Sequence, residues 1–438
     1  MNTNCMSRYL SILTLFIVFF APYANALELT GNVSTELEYT NNSALDSTQT
    51  QDDVSQRVGL DLNVLENRKS VQASANFRVE SEKYYNDSFS DRASLTAGFG
   101  LFNLDLIESF LNWQTSLTRT EVLTDASDTN TPDNREYRNI LRTGPTVSYQ
   151  YSSKSLLALN VNFIGVENSE QDASDTQRVN GTLNFKYLFS PMTGFNINSQ
   201  YQEILDIDSD SDTDSDEEYD NIKLSIGLVR RFFLGDFQFN LGRTRLTPDQ
   251  SDATESNFFD IQLNRDQLFR HDVSLTYLED ISDTSIGFES DEEGAAQQSD
   301  SQRSTSGSDV IKRKRIDVSA TRVFGNTNYA IKGFWENESF VVLDRDERSV
   351  GFSLGINHNL SQRLISEFEY TYEINDFVGR VELGKDKEST YRVGGVYRLS
   401  ADMRVNGFTR FSSRYNSQNM SREYEEFSVG FGFIWSFL

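Results

Sequence analysis

The chain has 438 residues, with 66 acidic against 40 basic side chains and a formal net charge of −26. That excess excludes a nucleic-acid-binding surface, which needs cations to neutralise phosphates. A single cysteine, Cys5, excludes a disulfide framework. The mean hydropathy of −0.52 is compatible with a membrane barrel, whose strands need apolar residues only at alternate positions.

In chain order, Arg8 precedes an apolar run from Tyr9 to Phe20, and Ala24-Asn25-Ala26 follows it. This is the pattern of a Sec-type signal peptide over residues 1–26, with a mature single domain over 27–438. The run is shorter than the roughly 20 residues of a membrane-spanning helix, and no later segment matches its hydrophobicity. Period two then takes over. Val58, Leu60, Leu62 and Val64 alternate with Arg57, Gly59, Asp61 and Asn63, and after Glu66-Asn67-Arg68-Lys69 the pattern resumes with Val71, Ala73, Ala75, Phe77 and Val79. This predicts a hairpin with one apolar face. Further short turns are expected at Ser190-Pro191-Met192-Thr193, Leu234-Gly235-Asp236, Gly325-Asn326-Thr327, Asn359-Leu360-Ser361-Gln362 and Ser400-Ala401-Asp402. Between them lie long polar segments, at 42–53, 171–177, 206–220 and 283–309.

Alternation of tight turns with long loops is the signature of an all-β, transmembrane, antiparallel up-and-down barrel with short periplasmic turns and long acidic external loops. Counting elements gives about 20 strands, within a range of 18–22. The last strand carries Phe427, Val429, Phe431, Phe433, Trp435 and Phe437 at alternate positions, with Ile434 as the one apolar intruder. Phe433, Trp435, Phe437 and Leu438 resemble the terminal signal read by the barrel assembly machinery, shifted by one residue because Leu438 follows the last aromatic. A secreted β-sandwich also alternates, but it accounts for neither the loop asymmetry nor this terminal strand. Phe110 with Trp113, Phe232 with Phe233, Phe324, Phe334 with Trp335, and Tyr397 are expected near strand ends, in aromatic girdles at the lipid boundary.

If the apolar face meets lipid, the intervening residues line the lumen: Arg57, Asp61, Arg78, Lys223, Arg315, Asp317, Glu367, Glu369, Arg392 and Arg398. A wall of mixed charge suits passage of polar solutes and also suits a filled, structural barrel. In the acidic run, Asp208, Asp210, Asp212 and Asp214 are a weak calcium candidate, for the loop has no glycine for the sharp turn and no closing glutamate in register; a solvated external loop is the simpler account. Lys312-Arg313-Lys314-Arg315 is the one dense basic cluster, placed to meet lipopolysaccharide phosphates at an outer rim. The two histidines, His271 near a predicted periplasmic turn and His358 beside another, sit in no nucleophile or metal-ligand spacing, so neither an enzyme nor a cofactor is expected.

Ser109-Phe110-Leu111-Asn112-Trp113, Thr131-Pro132-Asp133-Asn134-Arg135 and Asn139-Ile140-Leu141-Arg142-Thr143-Gly144-Pro145 resemble the PEP-CTERM-system-associated outer-membrane proteins. That resemblance implies a porin-like barrel linked to exopolysaccharide systems, with polysaccharide or periplasmic export components as partners, and it brings no catalytic residues. Two functions stay open: a channel for a polar polymer or small solutes, and a plugged barrel presenting external loops. Pro145 cannot donate to a ladder, so a bend or bulge is expected there.

Overall fold

The computed structural model describes residues 27–437 except 125–127, 170–174, 209–218, 249–252, 269–270, 284–309, 342–344 and 379–382. The signal segment, Leu438, and Asp210, Asp212 and Asp214 lie outside the described residues, as does the side chain of Asp208. Twenty strands follow one another in a single sheet. The first ten are β1 Leu27–Thr40, β2 Asp53–Asn67, β3 Val71–Tyr84, β4 Arg92–Ile107, β5 Leu111–Leu123, β6 Arg135–Ser152, β7 Ser155–Asn168, β8 Asp175–Ser190, β9 Thr193–Asp208 and β10 Tyr219–Phe232. The second ten are β11 Gly235–Pro248, β12 Thr254–Leu268, β13 His271–Asp283, β14 Val310–Phe324, β15 Thr327–Phe340, β16 Arg345–Asn359, β17 Leu364–Val378, β18 Lys385–Arg398, β19 Met403–Asn416 and β20 Tyr424–Phe437.

Each strand pairs antiparallel with the next, and β20 returns to β1 through Gly31↔Phe437 to Thr40↔Ser428. The sheet is therefore a closed up-and-down barrel without free edges, as the sequence predicts. The even-to-odd connections are tight: Gly325 takes φ +57° between β14 and β15, where a side chain would strain the turn. The odd-to-even connections carry the long segments, so the two kinds of loop lie at opposite ends. Strands run from 13 to 18 residues, longer than the 9–11 or so needed to cross a hydrocarbon core.

Two faces follow from the pairing. On β20, Phe427, Val429, Phe431 and Trp435 are exposed outward, while Glu426, Ser428, Gly430 and Gly432 are buried on the inner side. Carried strand by strand through the registers, this parity places Leu37, Val58, Val79, Leu159, Ile226, Leu241, Val350 and Val393 on the outer face, all exposed. Glycines on the inner face let neighbouring side chains lie flat. A Cβ at Gly430 would meet the Phe408 ring at 2.3 Å, and one at Gly351 would meet Phe334 at 2.5 Å. At Pro145 the β6–β7 ladder loses two pairs but keeps its register, Thr143↔Phe163 on one side and Thr146↔Asn160 on the other. The expected bulge is thus an interruption, and Gly144 is needed for it, since a Cβ there would lie 1.8 Å from the Val161 carbonyl oxygen.

Candidate functional site: the lumen wall

A sheet of 20 strands, about 4.8 Å apart and tilted by about 40°, encloses a circle roughly 40 Å across between backbones. All ten lumen candidates fall on inner-face positions of their strands. Most of them are tied into ion pairs with neighbours. Arg57 reaches Glu82 at 2.8 Å and Glu36 at 3.5 Å, Arg78 Nε meets Asp61 at 2.6 Å, and Arg315 meets Asp317 and Glu336, each at 2.7 Å. Arg313, read from sequence as part of a basic outer rim and not of the lumen, joins Glu336 at 2.6 Å, and Arg410 links Glu38 of β1 to Glu426 of β20 across the closing seam. Glu367, Glu369 and Arg398 have no ion-pair partner among the described residues. The Arg392 guanidinium lies over the Phe408 ring, 4.4 Å from its centroid.

The wall divides into two halves. From β14 through β20 to β4 it carries these charges. From β4 to β12 amides and hydroxyls outnumber charges at the inner positions, because asparagine and glutamine recur at the alternate positions of β5, β7, β9 and β11, although β6 and β8 also place Glu136, Arg138, Arg142 and Arg178 there. There Asn196 Nδ2 donates to Asn240 Oδ1, Asn240 Nδ2 to Asp260, and Gln262 Nε2 also to Asp260, a chain running round β9, β11 and β12. Gly227 of β10 lies between, and a Cβ there would fall 1.9 Å from Asn240 Oδ1.

One departure from a plain cylinder was not legible in the sequence. The β12–β13 ladder ends at Phe259↔Glu279, and beyond it the end of β13 turns onto the inner side of β10 and β11. Lys223 Nζ meets Asp280 at 2.6 Å, Thr244 Oγ1 donates to the same carboxylate, and the Lys223 ammonium lies over Phe258. Ile281 and Val310 join Ile204, Tyr219 and Leu246 in a small buried apolar cluster. Outer-face positions of β13 and β14 are thus packed against inner-face positions of β9–β11, narrowing the mouth at the long-loop end.

The basic cluster is split by strand parity. Arg313 and Arg315 point inward, while Lys312 and Lys314 take the opposite parity, Lys314 on the outer face beside Glu279 at 3.1 Å and Lys312 paired with Ile281 on the side that turns toward β9–β11. Among the expected girdle aromatics, Phe110, Trp113, Phe232, Phe233, Phe324, Trp335 and Tyr397 are exposed. Phe334 is the exception: it faces the lumen beneath Arg315, because its neighbour Trp335 takes the outward position. His271 Nε2 is 2.7 Å from the Tyr329 hydroxyl and His358 Nδ1 is 2.8 Å from Thr327 Oγ1, both at the short-turn end. Among the described residues no group of three or more His, Cys, Asp or Glu is placed to hold a metal.

No protein-family model matches the chain, and no curated protein does. Solved structures do. The FrpB iron transporter from Neisseria meningitidis (F3-3 variant) is similar over 96% of this chain and 83% of its own, with 10% identity and a TM-score of 0.50. A ferric enterobactin receptor (PfeA) mutant from Pseudomonas aeruginosa is similar over 94% and 80%, with 9% identity and a TM-score of 0.50. At these identities the likeness is one of fold: the chain has the closed antiparallel architecture of bacterial outer-membrane barrels.

Proposed function

We propose that this chain is exported on its Sec-type signal into a Gram-negative outer membrane, where it is a porin-like, non-catalytic channel serving exopolysaccharide export or surface assembly. The observation that carries the reading is a polar lumen of roughly 40 Å between backbones, narrowed at its mouth by the end of β13, which leans onto the inner side of β9–β11. Mixed charge and amide groups supply replacements for the water that polar solutes shed. On the outer face, Lys314 lies at the long-loop end with Arg348 and Lys385, an arrangement suited to lipopolysaccharide phosphates. The exopolysaccharide association rests on the resemblance of the 109–145 region.

A second reading, a plugged barrel presenting its loops, is favoured by one feature. The end of β13 that leans into the mouth also launches the 284–309 connection, the longest in the chain. Liposome swelling separates the two. Vesicles holding the refolded mature chain should admit neutral sugars up to oligosaccharide size, and swelling no faster than in empty vesicles would leave the plugged barrel. In a producing cell, loss of the chain should lower surface polysaccharide while its synthesis inside continues.

A further inference from the structure

Near the short-turn end, where the two halves of the wall meet at β3 and β4, is a cleft of about 260 Å³, lined by Ser70, Gln72, Asn103, Asp105, Asn112, Gln114 and Thr146. The registers arrange these side chains in two adjacent rows across the strands. Gln72↔Asn103↔Gln114 form one row, which ends at Gly144 with no side chain, and Asp105↔Asn112↔Thr146 form the other. Neighbours in a row are therefore about 4.8 Å apart, comparable to the span of one pyranose ring.

Some amides elsewhere on the wall satisfy one another, as Asn76 does by donating to Asn63 at 2.6 Å two steps further up β3, and others, such as Asn180 and Asn198, leave Oδ1 without a partner among the described residues. In the cleft, Asn112 donates to Asp105 at 2.9 Å and Thr146 accepts from Asn160. The side chains of Gln72, Asn103 and Gln114 have no partner among the described residues. Each carries donors and an acceptor on one planar group, the complement of a vicinal diol. The lining holds one carboxylate and no cation, so it offers nothing to offset the charge of a uronate or phosphate-bearing sugar.

We infer that this cleft is a binding subsite for neutral saccharide units, with Gln72, Asn103 and Gln114 as its hydroxyl-reading residues. The inference deepens the channel reading and rests on it for the source of the saccharide, while the binding itself is separately measurable.

The test is calorimetric titration of the refolded full-length mature chain in lauryldimethylamine oxide, a detergent without a sugar head group. Maltoheptaose is the neutral probe and a polygalacturonate oligomer the anionic one. Binding of maltoheptaose at least tenfold tighter than the anionic oligomer is expected. Asn103→Leu with Gln114→Leu should weaken it at least tenfold while heat-modifiable gel mobility stays that of a closed barrel. If the double variant does not fold, Gln114→Asn, which only shortens the reach, should still weaken binding severalfold. No binding, tighter binding of the anionic oligomer, or variants that bind like the parent would overturn the subsite. Planar-bilayer conductance on the same preparations keeps the two ideas apart. A conducting barrel that ignores maltoheptaose removes the subsite and leaves the channel, whereas a silent barrel that binds it removes the channel and leaves the subsite.

Discussion

Glu336 receives two guanidiniums in the lumen wall, Arg313 at 2.6 Å and Arg315 at 2.7 Å, and Arg313 and Glu336 are each only 4% exposed. Removing one partner of such a buried group leaves charge uncompensated, at a cost of about 3–5 kcal/mol, whereas a solvated pair contributes about 1 kcal/mol or less. Glu336→Gln should therefore destabilise the barrel by about 3 kcal/mol in urea unfolding. Arg78→Gln, which breaks the half-exposed pair with Asp61, should cost under about 1 kcal/mol; equal losses would contradict this division of the wall. At this scale the sequence was informative about direction and silent about pairing. Period two put Arg315 on one face, but its meeting with Glu336 depends on the register between β14 and β15, which no single strand encodes.

Among the elements, the end of β13 decides how wide the mouth is. Lys223 fixes it through Asp280 at 2.6 Å, with Thr244 on the same carboxylate and the Ile281–Val310 contacts behind. Lys223→Met keeps the length of the side chain and removes the charge, leaving Asp280 without its cation. The end of β13 should then detach, single-channel conductance should rise, and proteinase K should cut the β13–β14 region sooner. Unchanged conductance and cleavage would mean that the ion pair does not hold it. The strands and the loop asymmetry were legible because alternation and turn formers are local signals. The inward turn of β13 was not, since it depends on a ladder that ends early and on an apolar cluster drawn from five strands. Phe334 was misplaced for a related reason: two adjacent aromatics, Phe334 and Trp335, cannot both face lipid on one strand.

For the whole molecule, closure of 20 strands fixes the circumference, and the division of the inner wall into a charged half and an amide half fixes its chemistry. The strand number was readable from the count of turns. The division of the wall was present in the sequence as asparagine and glutamine at the alternate positions of β5, β7, β9 and β11, but it became a surface only once the registers placed those residues side by side. The central claim is that this barrel encloses an open, water-filled path. Single-channel recording of the refolded mature chain in a planar bilayer tests it most directly. Large, steady openings are the predicted result, and a barrel that is folded by heat-modifiable gel mobility yet carries no current would contradict it.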